Sequence, residues 1–265
     1  FMIEILIGQE QAQQRLDRFL KKYLPKASLS HIYKMVRKDI KVNGTRKKPE
    51  YMLIPGDVLF IYASREVVDS FGEKRTVPKV KRQFLVVYED ENLLAVSKPR
   101  GLLTHGDQFE KKNTLVNQAI DYLAAKGDYA FSRNNTFIPA PVNRLDRNTS
   151  GIVLFGKNNG ALQLLNRMIQ EKTCIRKLYL TIAEGELKSS VTLRSKMVKD
   201  EAKNRIYLKE FPEDSGFSNG GEGGKDMETI LRPLAVKDGF SLVEAELVTG
   251  RTHQIRAHMA SKNLY

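Results

Sequence analysis

Residues 142–158 read VNRLDRNTSGIVLFGKN, a polar, turn-forming run that breaks directly into an apolar one. IVLFG, at 152–156, has the length and the β-branched and aromatic content of a buried strand. The run before it holds one carboxylate, Asp146, with Arg144 two residues ahead and Arg147 immediately after. Thr149, Ser150 and Gly151 supply hydroxyls and a permissive backbone for a tight turn that would fix the aspartate loop. A carboxylate among arginines is either a structural ion pair or a catalytic group held ionised.

On either side of this stretch the pattern alternates between strands and helices. FLVVYEDENLLAVSKPRGLLTH (84–105) gives two strand-like runs around an acidic turn, stopped at Lys98-Pro99 with Gly101 beyond. Residues 114–126 read as a helix, and GALQLLNRMIQEK (160–172) as an amphipathic one on Leu162, Leu165 and Ile169. KLYLTIAEG (177–185) and FSLVEAELVTG (240–250) are further strands. PEDSGFSNGGEGGK (212–225) has the composition of a flexible surface loop. The expected body, residues 83–265, is therefore mixed α+β with a largely antiparallel sheet. The closing RTHQIRAHMASKNLY begins a helix and stops without a terminal cap, so this domain is expected to continue past Tyr265.

The N-terminal part differs in charge. Of a net +13, residues 1–82 hold 18 Lys/Arg against 9 Asp/Glu, and the remainder 26 against 22. A basic third on a nearly balanced body points to a module for a polyanion, RNA above all. In residues 13–24, Leu16, Phe19, Leu20, Tyr23 and Leu24 follow helical spacing, with Arg15, Arg18, Lys21 and Lys22 opposite. Pro25 stops that helix, and Ser28 or Ser30 caps a second one on Ile32, Met35 and Val36. The second helix exposes His31, Lys34, Arg37 and Lys38. An Asn43-Gly44 turn and IPGDVLFIY complete a small hairpin. The expected divisions are an RNA-binding domain at 1–64, a polar linker at 65–82 and the mixed α+β body at 83–265.

Several function classes lose their support. Cys174 is the one cysteine, so there is no disulfide framework or thiolate metal cluster, and it reads as a small core residue. The start FMIEILIGQEQ lacks a basic n-region, and no apolar stretch spans a bilayer; a soluble, cytoplasmic protein with no membrane partner is expected. No Walker loop, dinucleotide fingerprint or nucleophile elbow is present. His253 and His258, five apart, would lie on different helix faces, which disfavours a zinc pair. No metal and no cofactor are expected.

Three settings remain for chemistry. Besides Asp146 there is Tyr179, whose strand would turn its ring to a core or cleft. The third is GRTHQIRAH, where Arg251 and Arg256 enter a helix from a Gly-led turn. Spacing alone leaves open a structural Asp–Arg pair with a core tyrosine beside the catalytic reading.

These same residues carry a resemblance. VNRLDRNTSGIVLFGKN resembles the signature of the RluA-type pseudouridine synthases, KLYLTIAEG their second motif, LVTGRTHQIRAH their third, and LLAVSKPRGLLTH their entry strand and Lys-Pro turn. The N-terminal part resembles the small RNA-binding domain named after ribosomal small-subunit protein four. QRLDRFL, IYKMVRK, VNG, KPEY and PGD together most resemble the subgroup acting on large-subunit (23S) ribosomal RNA, the RluC type. The sequence departs from the family at Asn143, a place often held by histidine.

The resemblance implies the pseudouridine synthase fold and a cofactor-free isomerisation of uridine in RNA; a monomer is the simpler expectation for a protein that must wrap a large RNA. Asp146 would be the catalytic carboxylate, as nucleophile toward the sugar or as the base that starts an elimination. Tyr179 would lie against the uracil, Arg256 would hold Asp146 ionised, and Ile255 would pack the other face of the base. Arg144 would help extrude the target or occupy the space it leaves. Arg147 and Arg251 read equally as phosphate contacts or packing residues, and Lys34, Arg37 and Lys38 as RNA contacts of the module. Lys98 and His105 would line a cleft edge without a role. The rivals are a silent RNA-binding protein and a base-excising hydrolase. The hydrolase needs a second acid, for which Glu184 and Glu246 are candidates, each expected to face solvent or make a surface pair.

Overall fold

A computed structural model describes residues 2–9, 11–72, 79–129, 137–171, 174–200, 205–210 and 225–265. The surface loop expected at 212–225 lies, except for its last residue, outside them. The chain forms two compact units, residues 1–167 and 168–265. The architecture is the mixed α+β one, with every paired strand antiparallel.

The first unit opens with β1 (Ile3–Leu6), α1 (Leu16–Tyr23), α2 (Leu29–Lys38), β2 (Ile40–Val42) and β3 (Val58–Ile61). The three strands form a sheet in the order β1-β3-β2. Leu16, Phe19 and Leu20 of α1 and Ile32, Met35 and Val36 of α2 close over it as one apolar core. Ser28 caps α2 by accepting the His31 N–H at 3.2 Å. The Asn43-Gly44 turn is left-handed at both residues, as a tight hairpin turn demands. Asp57, 1% exposed, explains why PGD matters here. Its carboxylate accepts from Asn43 Nδ2 at 2.7 Å and from the Ile54 N–H at 3.0 Å, joining two turns.

The expected linker at 65–82 begins with structure. Residues Arg65–Phe71 form α3, capped by Ser64, and its Val68 is buried in the same core. The run is polar in composition, but one inward valine and Phe71, whose ring lies tilted against that of His31 at 4.5 Å between centroids, dock it.

Next come β4 (Leu85–Glu89), β5 (Leu93–Lys98), α4 (Leu115–Lys126), β6 (Ala140–Pro141) and β7 (Gly151–Gly156), with strand order β4-β5-β7-β6. Thr114 caps α4, and Gly127, at φ 86°, ends it. The Lys157 ammonium ties three of these pieces together, reaching Glu89 at 2.9 Å, Asp128 at 2.8 Å and the Asp90 carbonyl at 2.7 Å. Helix α5 (Asn159–Glu171) follows β7, with Leu162, Leu165 and Ile169 half-buried as its periodicity requires. Its first turn also meets the N-terminal part, since Asn159 donates to the Ala12 carbonyl and Gln163 to that of Gln13.

The second unit holds β8 (Leu178–Glu184), β9 (Val191–Asp200), β10 (Arg205–Glu210), β11 (Lys225–Lys237), β12 (Phe240–Leu247) and α6 (Gln254–Ala260). Its sheet runs β10-β9-β11-β12-β8. The core of this unit is Ala183, Leu193, Leu231, Val243, Ala245, Met259 and Leu264. Cys174, expected in a core, is exposed. It lies ahead of β8, outside the alternation that buries strand residues.

The turn from β7 into α5 depends on one glycine. A Cβ at Gly156 would come within 2.6 Å of Leu162 Cα and 2.8 Å of its nitrogen, both helix backbone. Gly156→Ala is expected to cost about 2 kcal/mol or more, since rigid backbone must move. A urea midpoint measured against wild type checks this.

Candidate active site

Asp146 sits half-buried on a turn held by hydrogen bonds on both sides of it. Before it, Asn143 continues the β6–β7 ladder with its side chain. Its Oδ1 accepts the Leu154 N–H at 2.9 Å, and its Nδ2 donates to the Ile152 carbonyl at 3.0 Å. This accounts for an uncharged amide where the family often has histidine: both ends of it are engaged by strand backbone. After it, the Thr149 N–H returns to the Asp146 carbonyl at 3.1 Å, closing the turn. Gly151 then enters β7 at φ 136°, in the region that favours glycine.

The loop that follows β5 grips the two residues flanking Asp146. The Thr104 hydroxyl donates to the Leu145 carbonyl at 2.8 Å and accepts the Leu145 N–H at 3.2 Å. On the other side, the Arg147 carbonyl accepts from Gly101 N–H at 2.8 Å and from Lys98 Nζ at 3.2 Å. Lys98 also donates to the carbonyls of Leu102 at 2.6 Å and Pro99 at 3.0 Å. The side chain is 0% exposed, so this is a buried ammonium spending its three protons on backbone. Burial pushes its pKa down, and the charge of Asp146 pushes it back up. Lys98 therefore is not a cleft-edge residue: it is the pin between two loops.

The arginines divide. Arg144 and Arg147 both reach solvent, and Arg147 lies 3.7 Å from Asp107 of the gripping loop. His105, next to the Thr104 clamp, has an exposed ring edge. The protein crowded around it and, second, the Arg144 guanidinium lower its pKa, which favours the neutral imidazole.

In the second unit, β8 alternates. Leu178, Leu180 and Ile182 are exposed, while Tyr179, opposite Ala245 in the sheet, packs half-buried on the unit's core. Ile255 of α6 packs on that same core, and Arg256 beside it is exposed. Arg251, also exposed, turns its Nε toward the Asp226 carbonyl at 3.4 Å. Glu246, one candidate for a second acid, lies between Arg176 at 2.8 Å and Arg232 at 2.7 Å. Hydrogen bonds from Arg176 and Arg232 hold its pKa down at about 2, so it is a carboxylate and not an acid at neutral pH. Glu184, the other candidate, is exposed.

The structure thus places Arg144, Asp146 and Arg147 on one turn of the first unit. Tyr179 and Ile255 share a core in the second, with Arg251 and Arg256 on the adjoining segment. Lys34, Arg37 and Lys38 are exposed on α2. Sequence reasoning gave Lys98 only a place at a cleft edge and passed over Thr104. The signal for Lys98 was in the strand: residues 94, 96 and 98 share a face, and Leu94 and Val96 are fully buried. Among the described residues no group of three His, Cys, Asp or Glu side chains could hold a metal ion. No helix among them is long and apolar enough to cross a membrane.

Residues 92–261, which include this turn, Tyr179 and the whole of α6, match the sequence profile of RNA pseudouridylate synthase. This chain belongs to the RNA pseudouridylate synthase family. The family's members are isomerases. The ribosomal large subunit pseudouridine synthase C of Vibrio vulnificus is 34% identical over 95% of this chain and 74% of its own length. An uncharacterized RNA pseudouridine synthase of Bacillus subtilis, YhcT, is 32% identical over 98% of this chain and 78% of its own. Two solved human structures share the fold at lower identity. RNA pseudouridylate synthase domain containing 4 has a TM-score of 0.51 at 19% identity, covering 68% of this chain and 65% of that one. RNA pseudouridylate synthase domain containing 1 has a TM-score of 0.50 at 23% identity, covering 72% and 69%.

Two outcomes follow for this RNA pseudouridylate synthase. Lys98→Met strands buried carbonyls and is expected to cost about 2–4 kcal/mol, whereas exposed Arg147→Met stays within about 0.5 kcal/mol; urea unfolding separates them. Glu246 has a folded pKa of about 2 against an ordinary 4.5, so its contribution is present above pH 4.5 and is lost as pH falls toward 2. Glu246→Gln should flatten that part of the melting-temperature profile and lower the plateau above it.

Proposed function

We propose that this chain converts specific uridines of large-subunit (23S) ribosomal RNA to pseudouridine, with Asp146 as the reacting carboxylate. The observation that carries this reading is the Asp146 turn: a half-buried carboxylate clamped on both sides, flanked by two solvent-reaching arginines. A structural ion pair has no use for that degree of backbone control, whereas a nucleophile or base must be aimed. The relatives named for the large ribosomal subunit favour ribosomal RNA as the substrate.

The reaction exchanges the N1–C1′ bond of uridine for a C5–C1′ bond; C5 gives up one proton and N1 gains one. Asp146 serves either by attacking C1′ or by taking the proton that starts an elimination. The target must leave its stack, at a cost of a few kcal/mol. In the scheme that the resemblance implies, Arg144 helps extrude the target or occupies the space it leaves, Tyr179 and Ile255 take the extruded uracil, and Arg256 serves the catalytic carboxylate. Arg147 and Arg251 add phosphate contacts. No cofactor takes part in this scheme.

Residues 1–64, resembling the domain of ribosomal small-subunit protein four, add RNA affinity through Lys34, Arg37 and Lys38 on α2. Residues 65–82 join them to the catalytic part at 83–265. The protein works as a monomer in the cytoplasm.

Large-subunit ribosomal RNA lacking pseudouridine, treated with the full chain and mapped by carbodiimide-dependent reverse-transcription stops, tests this. Wild type should give stops at one or a few uridines, and Asp146→Ala should lower the rate by about 10³-fold or more while still binding. Equal RNA binding by both proteins with no stops from either would return Asp146 to a structural role. Replacing Lys34, Arg37 and Lys38 by Ala should weaken binding and reduce its salt slope by about one per residue removed. An unchanged slope would remove α2 from the interface.

A further inference from the structure

The turn between β12 and α6 carries Arg251, and the helix it opens carries Ile255 and Arg256. His253, its last residue, sits at φ 55° and ψ 24°, a left-handed conformation that side-chain-bearing residues keep only under constraint. The constraint is a polar network beneath the turn. Gln254, 2% exposed, uses every hydrogen-bonding position of its amide. Its Oε1 accepts from Thr249 Oγ1 at 2.8 Å and from the Arg251 N–H at 3.0 Å. Its Nε2 donates to the Glu228 carbonyl and to Thr229 Oγ1, both at 2.9 Å. The Thr249 hydroxyl in turn accepts the Glu228 N–H at 2.9 Å.

One helical turn on, His258 repeats the arrangement. It is 1% exposed, with Nδ1 at 2.8 Å from Thr229 Oγ1 and Nε2 at 2.8 Å from Ser195 Oγ. Both ring nitrogens therefore meet a hydroxyl, and each hydroxyl can donate or accept to suit the tautomer.

We infer that Gln254 and His258 are positioning residues for the isomerisation: together they fix where Arg251, Ile255 and Arg256 stand. This rests on the function proposed above. Residues 254 and 258 lie on one face of α6 and anchor it to β9 and β11 at two heights, so the helix can neither roll nor slide. Ile255 and Arg256, next along the helix from Gln254, then have a single presentation. Apolar side chains of the same volume would fill this space without making any of these hydrogen bonds. They would leave the Arg251 N–H and the turn unheld. Fully satisfied buried networks of this kind specify geometry more than they add stability.

The test uses the full chain, unmodified large-subunit ribosomal RNA, and two readouts: steady-state isomerisation, and amide hydrogen exchange without RNA. Gln254→Glu keeps shape and acceptor but loses both donors; Thr249→Val removes one hydroxyl from the same network and is the milder change. Ser241→Ala is the control. That serine, 0% exposed in the same unit, bonds the Gly185 carbonyl and the Leu187 N–H away from the turn. Misplacement of about an ångström can cost on the order of 10²-fold in rate. Gln254→Glu should therefore lower kcat by about 30-fold and Thr249→Val by about 5-fold, with KM for RNA within about two-fold. Both should speed exchange within residues 250–256, while Ser241→Ala loses melting temperature but keeps kcat. Unchanged kcat in folded Gln254→Glu or Thr249→Val, or an equal loss in Ser241→Ala, overturns the inference. If Gln254→Glu does not fold, Thr249→Val decides. If wild type itself is inactive, the function reading fails, and exchange alone judges the network: acceleration confined to 250–256 supports it, and none or a uniform one refutes it.

Discussion

The Lys98 ammonium, sealed from solvent and divided among the carbonyls of Pro99, Leu102 and Arg147, is the contact on which the rest of the first unit's site depends. Burying a cation without a hydrogen-bonded carboxylate is expensive, and it persists only because all three protons are used and an anionic charge stands near. The geometry of that compensation does the positioning. Strand alternation sends Lys98 inward, and the loop after β5 must curl back to offer it acceptors. Thr104 and Gly101 of the curled loop then grip Leu145 and Arg147. Asp146, between those two, is left with very little backbone freedom.

The second unit reaches the same end by different chemistry. There the anchored element is a helix, and the anchors are neutral: an amide, an imidazole and three hydroxyls, with backbone groups of β11 completing the set. In both units the groups assigned to RNA are exposed or half-buried, and the groups that aim them are buried. Preorganisation of this kind suits the proposed reaction, with its single charged group and its extruded base. The α2 face proposed for RNA affinity comes at little structural cost, because Lys34, Arg37 and Lys38 stand on a helix whose other side is core.

Much of this was legible in the residues. Apolar spacing located α1 and α2, the Asn43-Gly44 turn identified itself, and IVLFG became the inner strand β7. The residues nominated for chemistry were found by type and by resemblance. What escaped was long-range. Lys98 reads as a cleft-edge residue without a role until its place in the β5 alternation is set against a loop almost fifty residues away. Helix α3 escaped because a single buried valine and a ring on His31 hold a run of charged residues. Asn143 carries no sequence signal of its task, which is to stand in for a strand's backbone.

The central claim is that the backbone on either side of Asp146 is set for chemistry by the loop that grips it. The most direct measurement is the single-turnover isomerisation rate of Thr104→Val at saturating ribosomal RNA, compared with wild type. Valine keeps the volume and removes both hydrogen bonds to Leu145. The account predicts a fall of about 10-fold or more in that rate with RNA affinity unchanged. A rate within about two-fold of wild type, in a folded protein, would contradict it.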